Sequence, residues 1–137
     1  MFVFVYGTLK NGYGNNRLLR ESTFVREAIV DGFEAYQVGF PVAMPKEGYA
    51  LRGEIWDIGD PETDSVARFT LGSLDGLESY DKDNEEYSMY LRRTQVTRCG
   101  ESVQMYVGNP KDWSGYLKED RMCHLDEEKV YTWSRDY

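Results

Sequence analysis

The chain has 137 residues, which is enough for one domain with a single apolar core. Hydrophobic residues make up 41% and charged residues 29%, a balance typical of globular proteins and unlike that of disordered or membrane-spanning chains. The net charge of −8 repels phosphate backbones and anionic lipid headgroups, so we expect neither nucleic acid nor a membrane as a partner.

The two cysteines, Cys99 and Cys123, are too few for a disulfide framework and lack the CxxC spacing of a zinc site. We therefore expect free thiols and a cytoplasmic protein. The apolar run at residues 2–6 is too short for a signal peptide and has no basic leader. Because no repeat or low-complexity tract is present, we predict a single domain over residues 1–137, with a monomer as the default state.

The chain begins with a predicted strand and a short predicted helix. Phe2–Tyr6 is aromatic and β-branched throughout, which predicts a strand buried on both faces. Gly7 ends this strand. Asn15–Arg20 is then predicted to form a short helix, capped by Asn15 or Asn16.

Three further strands are predicted before the main helix: Phe24–Val30, Phe33–Val38 and Leu51–Ile58. The pair Asp31-Gly32 is typical of a hairpin turn and would separate the first two of them. Pro41 and Pro45 mark a loop before the third. The partly alternating pattern of that third strand predicts a position near the centre of the sheet.

The main helix is predicted to begin at Asp60-Pro61, where a capping carboxylate precedes a proline suited to the first helical position. Gly72 and Gly76 are expected to break or kink it. Four apolar residues at helical spacing would face inward. They are Val66, Phe69, Leu74 and Leu77.

The second half predicts one more strand pair, Tyr87–Thr97 and Ser102–Val107, around Gly100. The polar and mixed tail, residues 110–137, gives no clear element. Strands outnumber helices, and their separations are too short for repeated βαβ units. We therefore predict a mixed α+β domain, a curled sheet or small mixed β-barrel with one main helix and short helices packed outside.

Tyr6-Gly7-Thr8-Leu9 directly follows the first predicted strand. A turn at the end of a strand can aim several backbone N–H groups into one concavity, which then binds anions. Glycine at such a turn allows a close approach or a positive φ. Taken by itself, the tetrapeptide favours a simple turn over an anion-binding loop.

Glu78 is the candidate proton-transfer residue. It lies four residues after Leu74, so on a helix both would share the inward face. Burial would raise the pKa of its carboxyl group towards neutrality, as an acid or base catalyst requires. The alternatives are a solvated residue, or one paired with Arg92 or Arg93. Asp75 falls off this face and is expected to be exposed.

Together, Val5-Tyr6-Gly7-Thr8-Leu9 and Leu74-Asp75-Gly76-Leu77-Glu78 resemble motifs of the γ-glutamylcyclotransferase family, above all its AIG2-like and γ-glutamylamine branch. Further matches follow in the family's order: Asn16 with Leu19, Gly53-Glu54 with Trp56, Tyr90 with Arg92, and Tyr106. The resemblance covers residues 2–107. Because Gly76 would loosen a helix, Glu78 could also lie at a turn.

The resemblance implies a small mixed barrel and an intramolecular reaction. In this family the substrate's α-amine attacks its own γ-carbonyl and releases 5-oxoproline with a free amine or amino acid. The resemblance assigns proton transfer to Glu78. It also implies that Gly7, Thr8 and Leu9 contact the glutamyl group and that Tyr6 and Tyr106 line the pocket. The expected partner is a small γ-glutamyl substrate, without cofactor or metal. Glutathione is an alternative to γ-glutamyl amines, and a catalytically idle ligand- or protein-binding member is the alternative to an enzyme.

Two other combinations of residues suggest chemistry only weakly. Cys99 and His124 could be proposed as a nucleophile and base, but no third group is evident to orient them. Cys123, His124 and Asp126 combine ligand types for a metal, yet they cluster in a polar tail. We therefore predict neither a cysteine nucleophile nor a metal site.

Overall fold

The computed structural model describes residues 1–113, 115 and 117–135. Its seven strands are β1 (Phe2–Val5), β2 (Thr23–Gln37), β3 (Pro41–Asp57), β4 (Tyr90–Val96), β5 (Ser102–Gly108), β6 (His124–Leu125) and β7 (Val130–Thr132). Its helices are α1 (Ser65–Leu77), the short α2 (Pro110–Trp113), and 3₁₀ turns at Gly14–Leu19, Glu85–Tyr87 and Glu119–Arg121. The predicted α+β class, a curled sheet with one main helix and short helices, is confirmed.

The central strand of the sheet is β3, which is 17 residues long. The antiparallel β2 pairs along one edge of it, while β1 and β7 pair with different parts of the other edge. The main path of the sheet runs β4-β5-β1-β3-β7-β6. A hydrogen bond of 2.8 Å from Arg98 N to Ile29 O joins the β4–β5 turn to β2.

A glycine allows β1 to lie close against β3. A Cβ atom at Gly53 would lie 2.4 Å from the Val5 carbonyl oxygen and 2.7 Å from Phe4 Cζ, far inside van der Waals contact. Val3, Phe4 and Val5 are all buried, as the apolar run at the N-terminus predicts. This packing fixes the end of β1, and therefore the start of the loop that follows it.

The predicted hairpin turn at Asp31-Gly32 is wrong. Residues 23–37 form one continuous strand, and the two residues lie at a bulge where its pairing with β3 shifts. Gly32 has φ +89°, so glycine serves a bulge here and not a chain reversal. The loop predicted at Pro41 and Pro45 is also wrong, because both residues belong to β3.

The main helix begins later than predicted. The side chain of Asp64 accepts a hydrogen bond of 2.9 Å from Val66 N, so Asp64 caps α1, and Asp60-Pro61 forms the preceding turn. The helix continues through Gly72 and Gly76. Of the four predicted inward residues only Leu74 is buried; Val66 and Leu77 are exposed, and Phe69 is 73% exposed.

The first 3₁₀ turn lies close to the predicted short helix, but no side chain caps it. Its Leu19 is fully buried. At the other end of the chain, β4 begins only at Tyr90, because Tyr87 lies in an exposed 3₁₀ turn. The tail that the sequence left unassigned contributes β6 and β7, and the latter pairs in parallel with β3.

Candidate active site

A cavity of about 400 Å³ opens where the end of β1, the end of α1 and the start of β3 meet. All six residues singled out from the sequence line it: Tyr6, Gly7, Thr8, Leu9, Glu78 and Tyr106. The other lining residues include Asn15, Phe40, Pro41, Ser79, Met89 and Tyr90. The fold thus brings together residues that are up to 100 positions apart in the sequence.

Gly7 allows the loop after β1 to pass against the start of β3. A Cβ atom there would lie 2.6 Å from Pro41 Cγ and 2.7 Å from Pro41 Cδ. The requirement is therefore close approach, and φ at Gly7 is not positive. The loop is tied from the following turn, because the side chains of Asn15 and Asn16 donate hydrogen bonds of 2.8 Å to Thr8 Oγ1 and the Leu9 carbonyl.

The backbone N–H groups of this loop have unused hydrogen-bonding capacity. Within residues 1–113, 115 and 117–135, no backbone hydrogen bond is donated by the amides of Gly7, Thr8 or Leu9. The carbonyl of Gly7 accepts from Lys10 N at 3.0 Å, which holds the turn closed. Donors that line a cavity without a protein partner are suited to an anionic or carbonyl oxygen of a ligand.

Glu78 lies immediately after the last residue of α1, at the helix C-cap. Its amide donates a hydrogen bond of 3.0 Å to the Leu74 carbonyl, which keeps it on the helical path. Ser79 then adopts φ +52° and turns the chain away. Glu78 therefore lies at a turn, as Gly76 in the motif suggested, and its carboxyl group lines the cavity.

Burial raises the pKa of the Glu78 carboxyl group from 4.5 to about 7. The alternative that Glu78 pairs with Arg92 or Arg93 is wrong, because Arg92 binds Asp75 and Arg93 binds Glu85. In the described part of the chain no hydrogen bond or ion pair engages the Glu78 carboxyl group. A carboxyl group with this pKa can accept or release a proton near neutral pH.

Three tyrosines surround this carboxyl group. Burial raises the pKa of Tyr6, Tyr90 and Tyr106, and the charge of Glu78 adds to the shift at each of them. The Tyr6 hydroxyl donates to the Tyr106 carbonyl at 2.5 Å, and the Tyr90 hydroxyl donates to the Pro41 carbonyl at 3.1 Å. The phenols of Tyr6 and Tyr90 thus fix the cavity wall by bonding to backbone.

Asp75 is part of the support of this site, contrary to the prediction that it is exposed. Its carboxylate accepts hydrogen bonds from Arg92 Nε at 3.0 Å and Arg92 Nη2 at 3.3 Å, and from the Tyr106 hydroxyl at 2.5 Å. Arg92 and Tyr106 are direct partners across the β4–β5 pair, so their side chains lie on the same face. The hydrogen bonds among Asp75, Arg92 and Tyr106 join α1 to the sheet beside the cavity.

Comparison with known proteins assigns the chain to a family. The family model described as "Gamma-glutamyl cyclotransferase, AIG2-like" matches residues 3–133. The chain belongs to this family. The match extends to residue 133, beyond residues 2–107, over which the sequence motifs resemble the family. Trp133, at the end of the match, is buried in the core and donates from Nε1 to Gln37 Oε1 at 2.9 Å.

The gamma-glutamyl cyclotransferase family relatives are distant in sequence. A family protein from Citrobacter rodentium, ytfP, is 30% identical over 108 residues, which are 78% of this chain and 81% of that protein. A Drosophila melanogaster protein, CG2811, provisionally named as a gamma-glutamylcyclotransferase, is 29% identical over 71% of this chain. The chain spans 65% of that relative, slightly less than two thirds of its length.

The solved structure of an AIG2-like protein from Mus musculus has a similar fold. It superimposes with a TM-score of 0.57 and 21% identity, and the alignment covers 99% of this chain and 97% of the mouse protein. At this level of identity the likeness concerns the gamma-glutamyl cyclotransferase fold and not the substrate.

Sequence reasoning missed the second wall of the cavity. Phe40 directly precedes β3 and Pro41 is the first residue of β3, in a segment that the prolines predict as a loop. Met89 and Ser79 carry no functional signal of their own and enter the cavity only through the fold. The motif Leu74–Glu78 did contain Asp75, and its partner Arg92 was among the family matches, but their contact needs the β4–β5 register.

The two cysteines of the weaker combinations differ in burial. Cys99 is exposed and Cys123 is buried, and burial raises the pKa of the Cys123 thiol to about 12, which keeps it protonated. No group of three or more His, Cys, Asp or Glu side chains in this part of the chain is arranged to hold a metal ion. None of the helices described there is long and apolar enough to cross a bilayer.

Proposed function

We propose that the protein cyclises a γ-glutamyl amine or amide to 5-oxoproline and releases the free amine, with Glu78 as general acid and base. Membership of the gamma-glutamyl cyclotransferase family supports the reaction class. The observation that carries the assignment is the Glu78 carboxyl group, whose pKa burial raises to about 7 in the cavity that the loop after β1 also lines.

The reaction needs two proton movements and no protein nucleophile. The substrate's α-amine loses a proton to the Glu78 carboxylate and attacks the γ-carbonyl carbon, which forms the C–N bond of a five-membered ring. The C–N bond to the leaving amine then breaks as Glu78 returns the proton to the departing nitrogen. One carboxyl group with a near-neutral pKa serves both steps, and water is neither consumed nor formed.

The loop after β1 would hold the glutamyl group. The amides of Gly7, Thr8 and Leu9 are suited to bind the α-carboxylate or the oxyanion that develops on the γ-carbonyl. Tyr6 and Tyr106 would line the pocket and keep the chain of the substrate folded, so that amine and carbonyl meet. Such positioning can contribute as much to the rate as the proton transfer itself.

Mass spectrometry of 5-oxoproline tests this proposal. Wild type, Glu78→Gln and Glu86→Gln would each be incubated with γ-glutamyl alkylamides, γ-glutamyl-ε-lysine, γ-glutamyl amino acids and glutathione. Glu86 is exposed and outside the cavity, so its variant is the matched control. We expect release by wild type and Glu86→Gln but not by Glu78→Gln, and the best substrate identifies the leaving group.

Two results would contradict the proposal. Equal release by Glu78→Gln and wild type would remove Glu78 from the reaction. If no compound released 5-oxoproline but isothermal titration showed that one of them binds, the protein would be a ligand-binding member of the family and not an enzyme.

A further inference from the structure

The loop after β1, residues 7–13, has little regular structure of its own. Two backbone hydrogen bonds close successive turns in it, from Lys10 N to the Gly7 carbonyl at 3.0 Å and from Tyr13 N to the Lys10 carbonyl at 3.2 Å. Gly12, inside the second turn, has φ +94°. A segment of this kind has many conformations of similar free energy unless other parts of the protein hold it. The position of its N–H groups therefore depends on contacts outside the loop.

Lys10 connects this loop to the segment after β7. Its Nζ donates a hydrogen bond of 2.7 Å to the carbonyl of Trp133, 123 residues away in the sequence. The acceptor is itself held in place, because Trp133 is buried and its Nε1 bonds to Gln37 Oε1 at 2.9 Å. The Tyr13 ring also packs against the Trp133 ring, with centroids 5.0 Å apart. A charged donor bonded to the backbone of a buried residue is a strong contact.

Glu54 connects the same loop to β3. Its Oε1 accepts hydrogen bonds from Asn11 N at 2.9 Å and from Trp56 Nε1 at 3.1 Å. Trp56 is packed in the core, so its indole holds the Glu54 carboxylate in place. Glu54 is also the strand partner of Val5, the last residue of β1. The carboxylate therefore holds the loop close to the point where the loop begins.

Neither of these two side chains lines the candidate active site. Of the described residues, Gly7, Thr8 and Leu9 line the cavity, whereas Lys10 and Glu54 do not. Their contacts are made at residues 10 and 11, directly after the segment whose amides are suited to bind the glutamyl group. Holding a loop before its ligand arrives reduces the conformational entropy that is lost on binding. The two contacts are therefore placed to affect the binding of substrate without touching it.

We propose that Lys10 and Glu54 are positioning residues that preorganise the loop after β1 for the glutamyl group of the substrate. Lys10 holds the loop against the segment after β7, and Glu54 holds it against β3. This inference rests on the proposed function, in which the amides of this loop bind the glutamyl group. It goes further by naming side chains outside the cavity that determine how tightly the substrate binds.

Variants of both residues test the hydrogen bonds in a steady-state assay with a γ-glutamyl alkylamide. Lys10→Met and Glu54→Met keep the length of the side chain and remove its hydrogen-bonding group. Each should raise KM by about two- to tenfold, because substrate binding must then order the loop. The value of kcat should stay within about twofold of wild type, and the pH dependence of kcat/KM should be unchanged, since Glu78 is not disturbed. Lys10→Arg keeps a donor and Glu54→Gln keeps an acceptor, so both should retain a KM close to that of wild type.

Amide hydrogen exchange measures the order of the loop without substrate. Peptides that contain residues 7–13 should exchange faster in Lys10→Met and Glu54→Met than in wild type, with exchange in the rest of the chain unchanged. Lys46→Met and Glu47→Met are the matched controls, because these side chains of β3 are exposed and outside the cavity. Both controls should match wild type in KM and in exchange.

Three kinetic results would contradict this inference alone. They are a wild-type KM in both methionine variants, a loss confined to kcat, and an increase in KM that Lys10→Arg and Glu54→Gln share with the methionine variants. Absence of turnover in wild type would instead contradict the proposed function. Isothermal titration of the same amide would then decide the inference: weaker binding by the methionine variants supports it, and equal or absent binding contradicts it.

Discussion

The Tyr106 hydroxyl donates a hydrogen bond of 2.5 Å to Asp75 Oδ1, three residues before the Glu78 carboxyl group in the sequence. Asp75 also accepts two hydrogen bonds from Arg92, and both side chains of this ion pair are largely buried, at 22% and 16% exposure. β5, whose Tyr106 lines the cavity, is thus joined to the end of α1 that precedes Glu78. α1 therefore positions Glu78, and the hydrogen bonds of Asp75 with Arg92 and Tyr106 position α1.

Asp75→Asn should therefore weaken both the fold and the site. Removal of one partner leaves the Arg92 guanidinium partly buried without its counter-charge, so we expect a loss of about 1–3 kcal/mol in the free energy of unfolding. Urea denaturation measures it. In a double-mutant cycle of Asp75→Ala with Tyr106→Phe the two losses should not add, because both variants remove the same hydrogen bond. Additive losses would show that the contact contributes nothing.

Glu78→Gln should be more stable than wild type at alkaline pH. The pKa of Glu78 is about 7 in the folded protein and 4.5 without burial, so the unfolded chain loses this proton at lower pH. Between pH 4.5 and 7 the free energy of unfolding of wild type therefore falls, by about 1–3 kcal/mol, and stays low above pH 7. A glutamine side chain does not titrate, so Glu78→Gln should not lose this free energy of unfolding as the pH rises.

Urea unfolding at pH 4, 6 and 8 compares the two proteins. We expect similar stability at pH 4, where Glu78 is protonated, and a growing advantage of Glu78→Gln at pH 6 and 8. Glu86→Gln removes an exposed carboxyl group and should follow wild type. A stability difference that did not change with pH would mean that the pKa of Glu78 is close to its ordinary value.

Gly7→Ala should displace the loop that would bind the glutamyl group. The added methyl group would lie within 2.7 Å of Pro41, so loop or proline must move, at a cost of about 1–3 kcal/mol. Gly14→Ala is the control, because a Cβ atom there meets no atom within 4 Å. We expect Gly7→Ala to lower both the melting temperature and kcat/KM. Equal melting temperatures and equal kcat/KM values for Gly7→Ala and Gly14→Ala would contradict the close approach of Gly7 to Pro41.

The elements that the sequence predicted correctly are those with a strong local signal. Phe2–Val5 is a strand because every residue is aromatic or β-branched and the segment is buried. Tertiary pairing overrode the local signals elsewhere. Pro41 and Pro45 belong to β3, and Gly32 forms a bulge within a strand where its pattern indicated a hairpin. A single sequence does not contain the register that decides between these outcomes.

The candidate site could be predicted in part for the same reason. Gly7 and Glu78 belong to short motifs that the sequence shows directly. Asp75 could not be assigned, because its partners Arg92 and Tyr106 are 17 and 31 residues away and meet it only through the β4–β5 register.

The dependence of kcat/KM on pH tests the role of Glu78 most directly. With a γ-glutamyl alkylamide as substrate, kcat/KM of wild type should rise with pH to a bend near 7, where the free enzyme's Glu78 ionises. Glu78→Gln should lose about 10²–10⁴-fold in rate and should lack this bend. A Glu78→Gln variant with near wild-type kcat/KM and the same bend would contradict the account, because another group would then carry the proton.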